Sequence, residues 1–282
     1  MTQTMTIERE EQTMAAESRH LAASSWPATA HAFSSAELGA ADEKHPPVQL
    51  NFACNEIKFA INAEQLAAVR AAMEGHMVPD EWGATTICNL YYDTPTGLLA
   101  RRSDEHPTYK EKIRVRSYGR LLPGEPVFVE LKKKFKGITY KRRCSIAQDR
   151  FADFMAGKGE PATQIERELD FAIRRYEGLA PVAFIAYERE AFYDEHDHEF
   201  RMTFDRNVRA RTTDLDLASG SYGVSLLDES LTLMEVKCAG AVPLWLVEVL
   251  TEHGLTKAHF SKYGTAWHEL VGPRIDWKGR AA

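Results

Sequence analysis

No run of eighteen apolar residues interrupts this 282-residue chain, and its N-terminus lacks the apolar region of a signal peptide. Those absences predict a cytoplasmic protein with no integral membrane segment. Cysteine is scarce: Cys54, Cys88, Cys144 and Cys238 lie far apart, form no zinc spacing, and each sits in a strand-like run. Buried free thiols are the expectation. A phosphate-cradling glycine loop is also missing, because Gly157-Lys158-Gly159 lacks the required spacing, which disfavours ordinary kinase or GTPase architecture. Ser261 has no His and Asp arrangement around it for acyl transfer. His196-Asp197-His198, flanked by Glu195 and Glu199, reads as a solvated turn rather than a metal site.

Positive charge is in deficit overall, with a net charge of −6, which argues against a general nucleic-acid binder. Aromatic residues do not alternate with the basic positions, as a single-strand stacking platform would require. The deficit hides a segregation. Between Arg101 and Arg143 there are 14 Lys or Arg against 5 Asp or Glu, a local +9 that leaves −15 for the remainder.

Within that basic stretch Lys112, Arg114 and Arg116 alternate with Ile113 and Val115, and Glu130, Lys132 and Lys134 follow around Leu131. Side chains on a strand point to opposite faces with a period of two, so one face is charged and the other apolar. A single strand of this kind would be a solvated surface strand, but the pattern recurs. Glu56 and Lys58 flank Ile57; Lys141 and Arg143 flank Arg142; Arg201, Thr203 and Asp205 interleave with Met202 and Phe204; Glu235 and Lys237 interleave with Met234 and Val236. At least six such strands predict a sheet that curls and closes into a barrel with a cationic lumen. Like charges so crowded repel, by about 4 kcal/mol per pair at 4 Å and an effective dielectric near 20, so the lumen calls for a polyanion.

In chain order, residues 1–47 lack apolar periodicity and are read as a disordered tail. One domain is expected over 48–272, with a short C-terminal tail over 273–282. A strand from Phe52 to Ile61 leads into a helix from Ala63 to Gly75 capped by Asn62. Thr85 to Tyr92 is a strand closed by the turn Asp93-Thr94-Pro95, and Gly97 to Ser103 is a short helix. Residues 109–118, 127–135 and 138–147 form an antiparallel meander. Two helical stripes follow, around Phe151, Phe154 and Met155 and from Ile165 to Tyr176; these are expected to pack outside the barrel. Val182–Tyr193, Phe200–Arg209 and Leu231–Cys238 complete the strands, and Pro243–Glu252 and Ala258–Val271 read as helices.

The converging charges are Glu56, Lys58, Arg114, Arg116, Glu130, Lys132, Lys141, Arg189, Arg201, Asp205, Glu235 and Lys262. Arginine holds phosphate oxygens bidentately and lysine supplies a point charge, which suits a triphosphate or longer chain. Carboxylates in such a site either pair with a neighbouring cation or hold Mg²⁺ or Mn²⁺ against the phosphates. Glu235 is the first choice for metal, with Glu130, Asp205 and Glu56 behind it.

These residues resemble the VTC domain, the polyphosphate polymerase module of the triphosphate tunnel metalloenzymes, from about Val48 to Leu270. Its carriers are Glu56-Ile57-Lys58, Tyr92-Asp93-Thr94, Lys112 through Arg116, Glu130-Leu131-Lys132, Lys141, Tyr187-Glu188-Arg189, Arg201 through Asp205, Glu235-Val236-Lys237 and Phe260-Ser261-Lys262-Tyr263. The resemblance implies an α+β fold, a closed antiparallel eight-stranded β-barrel with helices packed outside. It implies phosphoryl transfer from a nucleoside triphosphate, ATP foremost, to a growing inorganic polyphosphate chain, with Mn²⁺ or Mg²⁺. Lys58, Arg114, Arg116, Lys132, Lys141, Arg189 and Arg201 would then be catalytic; Lys112, Lys134, Ser261, Lys262 and His259 would contact phosphate. Cys54 stands where the thiamine-triphosphatase branch of the superfamily has an acid, and His259 stands where related VTC domains commonly have lysine. If water attacks instead, the same tunnel is a triphosphatase or polyphosphatase; a non-catalytic polyphosphate or nucleotide sensor is the rival from another class. The sequence names no protein partner.

Overall fold

The computed structural model describes residues 55–105, 107–136 and 138–275. The tail expected over 1–47, Cys54 and residues 276–282 lie outside the described residues. In chain order the strands are β1 (Asn55–Ile61), β2 (Met77–Pro79), β3 (Thr85–Asp93), β4 (Tyr109–Tyr118), β5 (Val127–Phe135), β6 (Ile138–Ile146), β7 (Ala180–Asp194), β8 (Arg201–Arg211), β9 (Val224–Ser225) and β10 (Thr232–Cys238). The helices are α1 (Ala63–Met73), α2 (Leu98–Asp104), α3 (Gln148–Met155), α4 (Gln164–Arg175), α5 (Leu244–Glu252) and α6 (Lys262–Ala266). The fold is therefore mixed α and β around one large antiparallel sheet. The helix expected over Ala258–Val271 begins only at Lys262, with Ser261 as its cap, and widens into a π turn at Trp267–Val271.

The sheet runs β1-β10-β8-β7-β3-β4-β5-β6, with short β2 beside β7 and short β9 beside β8. These two short strands were not expected. The eight strands of the main path match the number implied by the resemblance, but a closed barrel is not shown: among the described residues β1 and β6, at the two ends, share no backbone hydrogen bonds. Part of the reason is visible at β1, where the Lys58 carbonyl is taken by the Ala258 N–H at 2.7 Å, so a non-strand segment lines this edge. Curvature nevertheless brings β5, the strand next to β6, within side-chain reach of β1, since Lys132 meets Glu56 at 3.1 Å.

The strand alternation sorts the faces as expected. Ile113, Val115, Val129 and Leu131 lie on the convex face, where Phe154 of α3 and Leu169 and Ile173 of α4 cover them. A second apolar layer joins Phe59, Met202, Phe204, Met234 and Val236 to Val69 and Met73 of α1 and Leu246 and Val249 of α5. Each large aliphatic side chain so buried stabilises the fold by about 1.5–3 kcal/mol. Asn62 caps α1 in a reciprocal box with Gln65, and Thr163 caps α4, fixing where these helices begin. Cys88, Cys144 and Cys238 are buried free thiols.

Two positions break the simple pattern. Glu111 shares the apolar face with Ile113 yet is only 4% exposed, because the phenols of Tyr109 and Tyr176 donate hydrogen bonds to its carboxylate. In addition, not every helix lies outside. Tyr263, Ala266 and Trp267 pack against Ile87, Tyr91, Ile185, Tyr187 and Val208, which line the concave face of β3, β7 and β8. The C-terminal helix thus enters the hollow of the sheet.

Candidate phosphate site

The antiparallel register places the charged side chains of the concave face in rows. On β4 and β5, Lys112 opposes Lys132 and Arg114 opposes Glu130; on β5 and β6, Lys132 opposes Lys141 and Glu130 opposes Arg143. On β1 and β10, Lys58 opposes Glu235, and on β10 and β8, Glu235 opposes Thr203. Arg189 on β7 opposes Asp205 on β8.

Two carboxylate centres organise these cations. Glu130, 1% exposed, accepts from Arg114 at 2.6 Å, contacts Lys141 at 2.8 Å and Arg143 at 3.6 Å, and lies 4.0 Å from Arg116. Burial opposes its ionisation, but these four cations hold its carboxyl well below the usual range. The second centre is Glu235, whose Oε1 faces Lys58 at 3.1 Å and Lys262 at 3.0 Å and whose Oε2 faces Arg189 at 2.9 Å. Arg189 also clasps Asp205 with two bonds of 2.6 Å, and Lys262 reaches Asp205 at 2.5 Å. Against the cost of burial, Lys262, Arg189 and Lys58 keep Glu235 ionised well below the ordinary glutamate range.

The centres are joined. Glu56 lies between Lys58 and Lys132, 3.1 Å from each. Tyr187 accepts a hydrogen bond from Arg116 at 3.2 Å, and its ring faces Lys262 at 4.5 Å and Arg189 at 5.1 Å. Lys112 donates to Ser261 at 3.1 Å, so β4 touches the cap of α6.

Some ammonium groups are under-compensated. Lys112 pairs with no carboxylate among the described residues, and burial, together with Lys132, Lys58 and Lys110, pulls its pKa down to about 8. Burial also draws Lys141 down to about 7 against the pull of Glu130, although 38% of its side chain stays exposed and water screens part of that effect.

Not every expected residue joins the cluster. Arg201 is in phase with Thr203 and Asp205, but it sits at the strand end, exposed, donating to the His198 carbonyl at 2.9 Å. Lys134 and His259 are exposed as well. Conversely, Arg143 and Lys237 belong with the cluster although neither is among the expected site residues; burial lowers the Lys237 pKa, with Glu56 opposing. Asn89 and Tyr91 on β3 are uncharged and carry no signal in the charge alternation, yet Asn89 accepts from Arg116 at 3.0 Å and Tyr91 from Arg114 at 3.1 Å. The Thr203 hydroxyl, opposite Glu235, is buried without a hydrogen-bond partner among the described residues.

Among the described residues no group of three His, Cys, Asp or Glu side chains gathers as a metal cage. Glu56 and Asp205 each feel the charge of Glu235, and carboxylate oxygens of this kind suit a hard divalent cation that keeps waters and takes its other ligands from phosphates. Glu235, Asp205 and Glu56 are the carboxylates that would offer ligands to such a cation, although in this structure their oxygens are paired with Lys58, Lys132, Arg189 and Lys262.

The VTC domain model matches residues 53–271, most of the chain. The chain belongs to the VTC domain family. Membership brings with it, in broad terms, phosphoryl transfer at a triphosphate tunnel. No curated protein matches the chain. Among solved structures, a "putative adenylate cyclase" from Vibrio parahaemolyticus is 14% identical with a TM-score of 0.40, covering 77% of this chain and 98% of its own. Another "putative adenylate cyclase", from Bacillus halodurans, is 12% identical with a TM-score of 0.45, covering 74% and 96%. No helix among the described residues of this VTC domain is long and apolar enough to cross a membrane.

Proposed function

We propose that this VTC domain transfers the terminal phosphoryl group of a nucleoside triphosphate, ATP foremost, to a growing inorganic polyphosphate chain. The observation that carries this reading is convergence: cations from six strands, β1, β4, β5, β6, β7 and β10, and from α6 share one concave face. A terminal phosphate oxygen of the acceptor attacks the γ-phosphorus; the bond from that phosphorus to the β,γ-bridging oxygen breaks, and nucleoside diphosphate leaves with the electron pair. No side-chain nucleophile is required.

In this reading Arg114 and Arg116, oriented by Glu130, Tyr91, Asn89 and Tyr187, grip the phosphates that do not react. Lys58, Arg189 and Lys262 surround the transferring group and offset the charge that builds on its oxygens. Lys132, Lys141 and Lys112 follow the chain toward the rim, with Lys134 and Arg201 as outer contacts. Mn²⁺ or Mg²⁺, held by Glu235 with Asp205 and Glu56 adjoining, would supply further charge neutralisation between the phosphates.

Incubating the protein with ATP and Mn²⁺ tests the reading. Long-chain polyphosphate and stoichiometric nucleoside diphosphate are the expected products. Orthophosphate without chains would reject the polymerase in favour of a tunnel triphosphatase, in which water takes the acceptor's place.

A further inference from the structure

The Tyr92-Asp93-Thr94 segment has no place in the phosphate grip described above, yet Asp93 is fully buried. Its Oδ1 accepts from the Thr94 N–H at 2.7 Å and the Leu99 N–H at 2.9 Å, and its Oδ2 accepts from the Ala100 N–H at 2.9 Å. The first closes the turn and the other two tie it to the first residues of α2. A fourth goes elsewhere: the Tyr263 hydroxyl donates to Oδ2 at 2.7 Å, across 170 residues of chain.

Tyr263 is the immediate neighbour of Lys262. Its ring also stacks on Tyr91, centroids 4.6 Å apart and planes 4° from parallel. Four residues after Tyr263 comes Trp267, and four residues after Asp93 comes Gly97. These two meet as well: a Cβ at Gly97 would lie 1.8 Å from the Trp267 ring, and Gly97 has a φ of +64° that side chains rarely adopt. The turn and the helix therefore touch at two points with matching spacing. Helix α6 has only five residues, too few to hold its place without tertiary contacts.

We infer that the Asp93–Gly97 turn is the dock that sets Ser261 and Lys262 in the cationic hollow, which makes Asp93 and Tyr263 positioning residues of the phosphate site. The inference rests on the phosphate-binding reading of Lys262. The hydroxyl of Tyr263 serves by fixing the helix that carries Lys262 and the cap Ser261, to which Lys112 donates.

The test uses the full chain, with inorganic tripolyphosphate as the probe. Tyr263→Phe keeps the ring and removes only the bond to Asp93, and is expected to weaken tripolyphosphate binding about five- to tenfold. In a Lys262→Met background the same change should have a clearly smaller effect, because one of the two positioned residues is gone. Gly97→Ala, which pushes on Trp267, should behave likewise. Backbone amides of 259–266 should exchange faster in Tyr263→Phe without ligand.

An equal loss of affinity in both backgrounds, or unchanged amide exchange over 259–266, would overturn the dock. Failure of the unaltered protein to bind tripolyphosphate would instead reject the phosphate-site reading, and the exchange measurement would still judge the dock.

Discussion

Replacing Glu130 by Gln removes one negative charge from the centre of four positive ones while keeping the size of the side chain. Arg114, Arg116, Lys141 and Arg143 all lie within 4.0 Å of a carboxylate that is 1% exposed. Breaking a buried charge pair from one side costs about 3–5 kcal/mol, because the partners remain desolvated and unpaired. For a domain of this size that converts to a fall in melting temperature of about 6–20 °C. A polyanion can replace the missing charge, so saturating tripolyphosphate should raise the melting temperature of Glu130→Gln more than that of the unaltered protein. The pH dependence follows with a definite sign. The folded carboxyl titrates well below the ordinary 4.5, so its stabilisation is complete above that value and fades as pH falls beneath it. Glu130→Gln should lose this component of acid sensitivity. Calorimetric melts between pH 3 and 8, with and without tripolyphosphate, decide the matter. A variant that melts within about 2 °C of the parent at neutral pH, or that gains no extra protection from the anion, would refute the reasoning that Glu130 balances the cluster.

Further outcomes are expected. Lys112 is held down to about 8 in the free site and an anion would raise it, so tripolyphosphate binding above pH 8 should take up a proton that Lys112→Met does not take up; calorimetry in buffers of different ionisation enthalpy reads the difference, and identical uptake would contradict the assignment. Glu235→Gln should weaken Mn²⁺ binding at least tenfold and abolish metal-dependent turnover, whereas a metal-independent sensor would keep its anion affinity and show no turnover in either form. Lys132→Met should shift stability by less than about 1 kcal/mol, since 44% of that side chain is exposed, while lowering polyanion affinity several-fold; a large stability loss with intact affinity would reverse the two roles. Leu131→Ala, at a fully buried site on the opposite face, should cost about 2–5 kcal/mol in chemical denaturation and leave the ligand affinity of the folded protein unchanged.

What the sequence made legible follows from the period of two. Lys112, Arg114 and Arg116 against Ile113 and Val115 announce a strand, a charged face and an apolar face without any knowledge of neighbours, and the meander of β4, β5 and β6 is bounded almost to the residue. The same rule stops short of closure. Nothing in the alternation of β1 or β6 says that the Lys58 carbonyl will be taken by Ala258 instead of another strand. Nor does phase say how far along a strand the hollow extends, so Arg201, expected inside, lies at the exposed strand end, while Lys237, opposite it in register, is half-buried beside the cluster. Glu111 illustrates the remaining gap. Its partner Tyr176 is 65 residues away, so nothing in the alternation marks the contact that lets a carboxylate sit on the apolar face. Uncharged residues that orient arginines, such as Asn89, Tyr91 and Tyr187, carry no periodic charge signal, and the role of Asp93 depends on a contact with a helix at the other end of the chain.

The central claim is that the hollow of the sheet holds a linear polyphosphate. A crystal structure of the protein soaked with tripolyphosphate and Mn²⁺ tests it most directly. Density for three linked phosphates among Lys58, Arg114, Arg116, Arg189 and Lys262, with a metal peak beside Glu235, is the predicted result. Phosphates confined to the outer surface, with the ion pairs of Glu130 and Glu235 undisturbed, would contradict it.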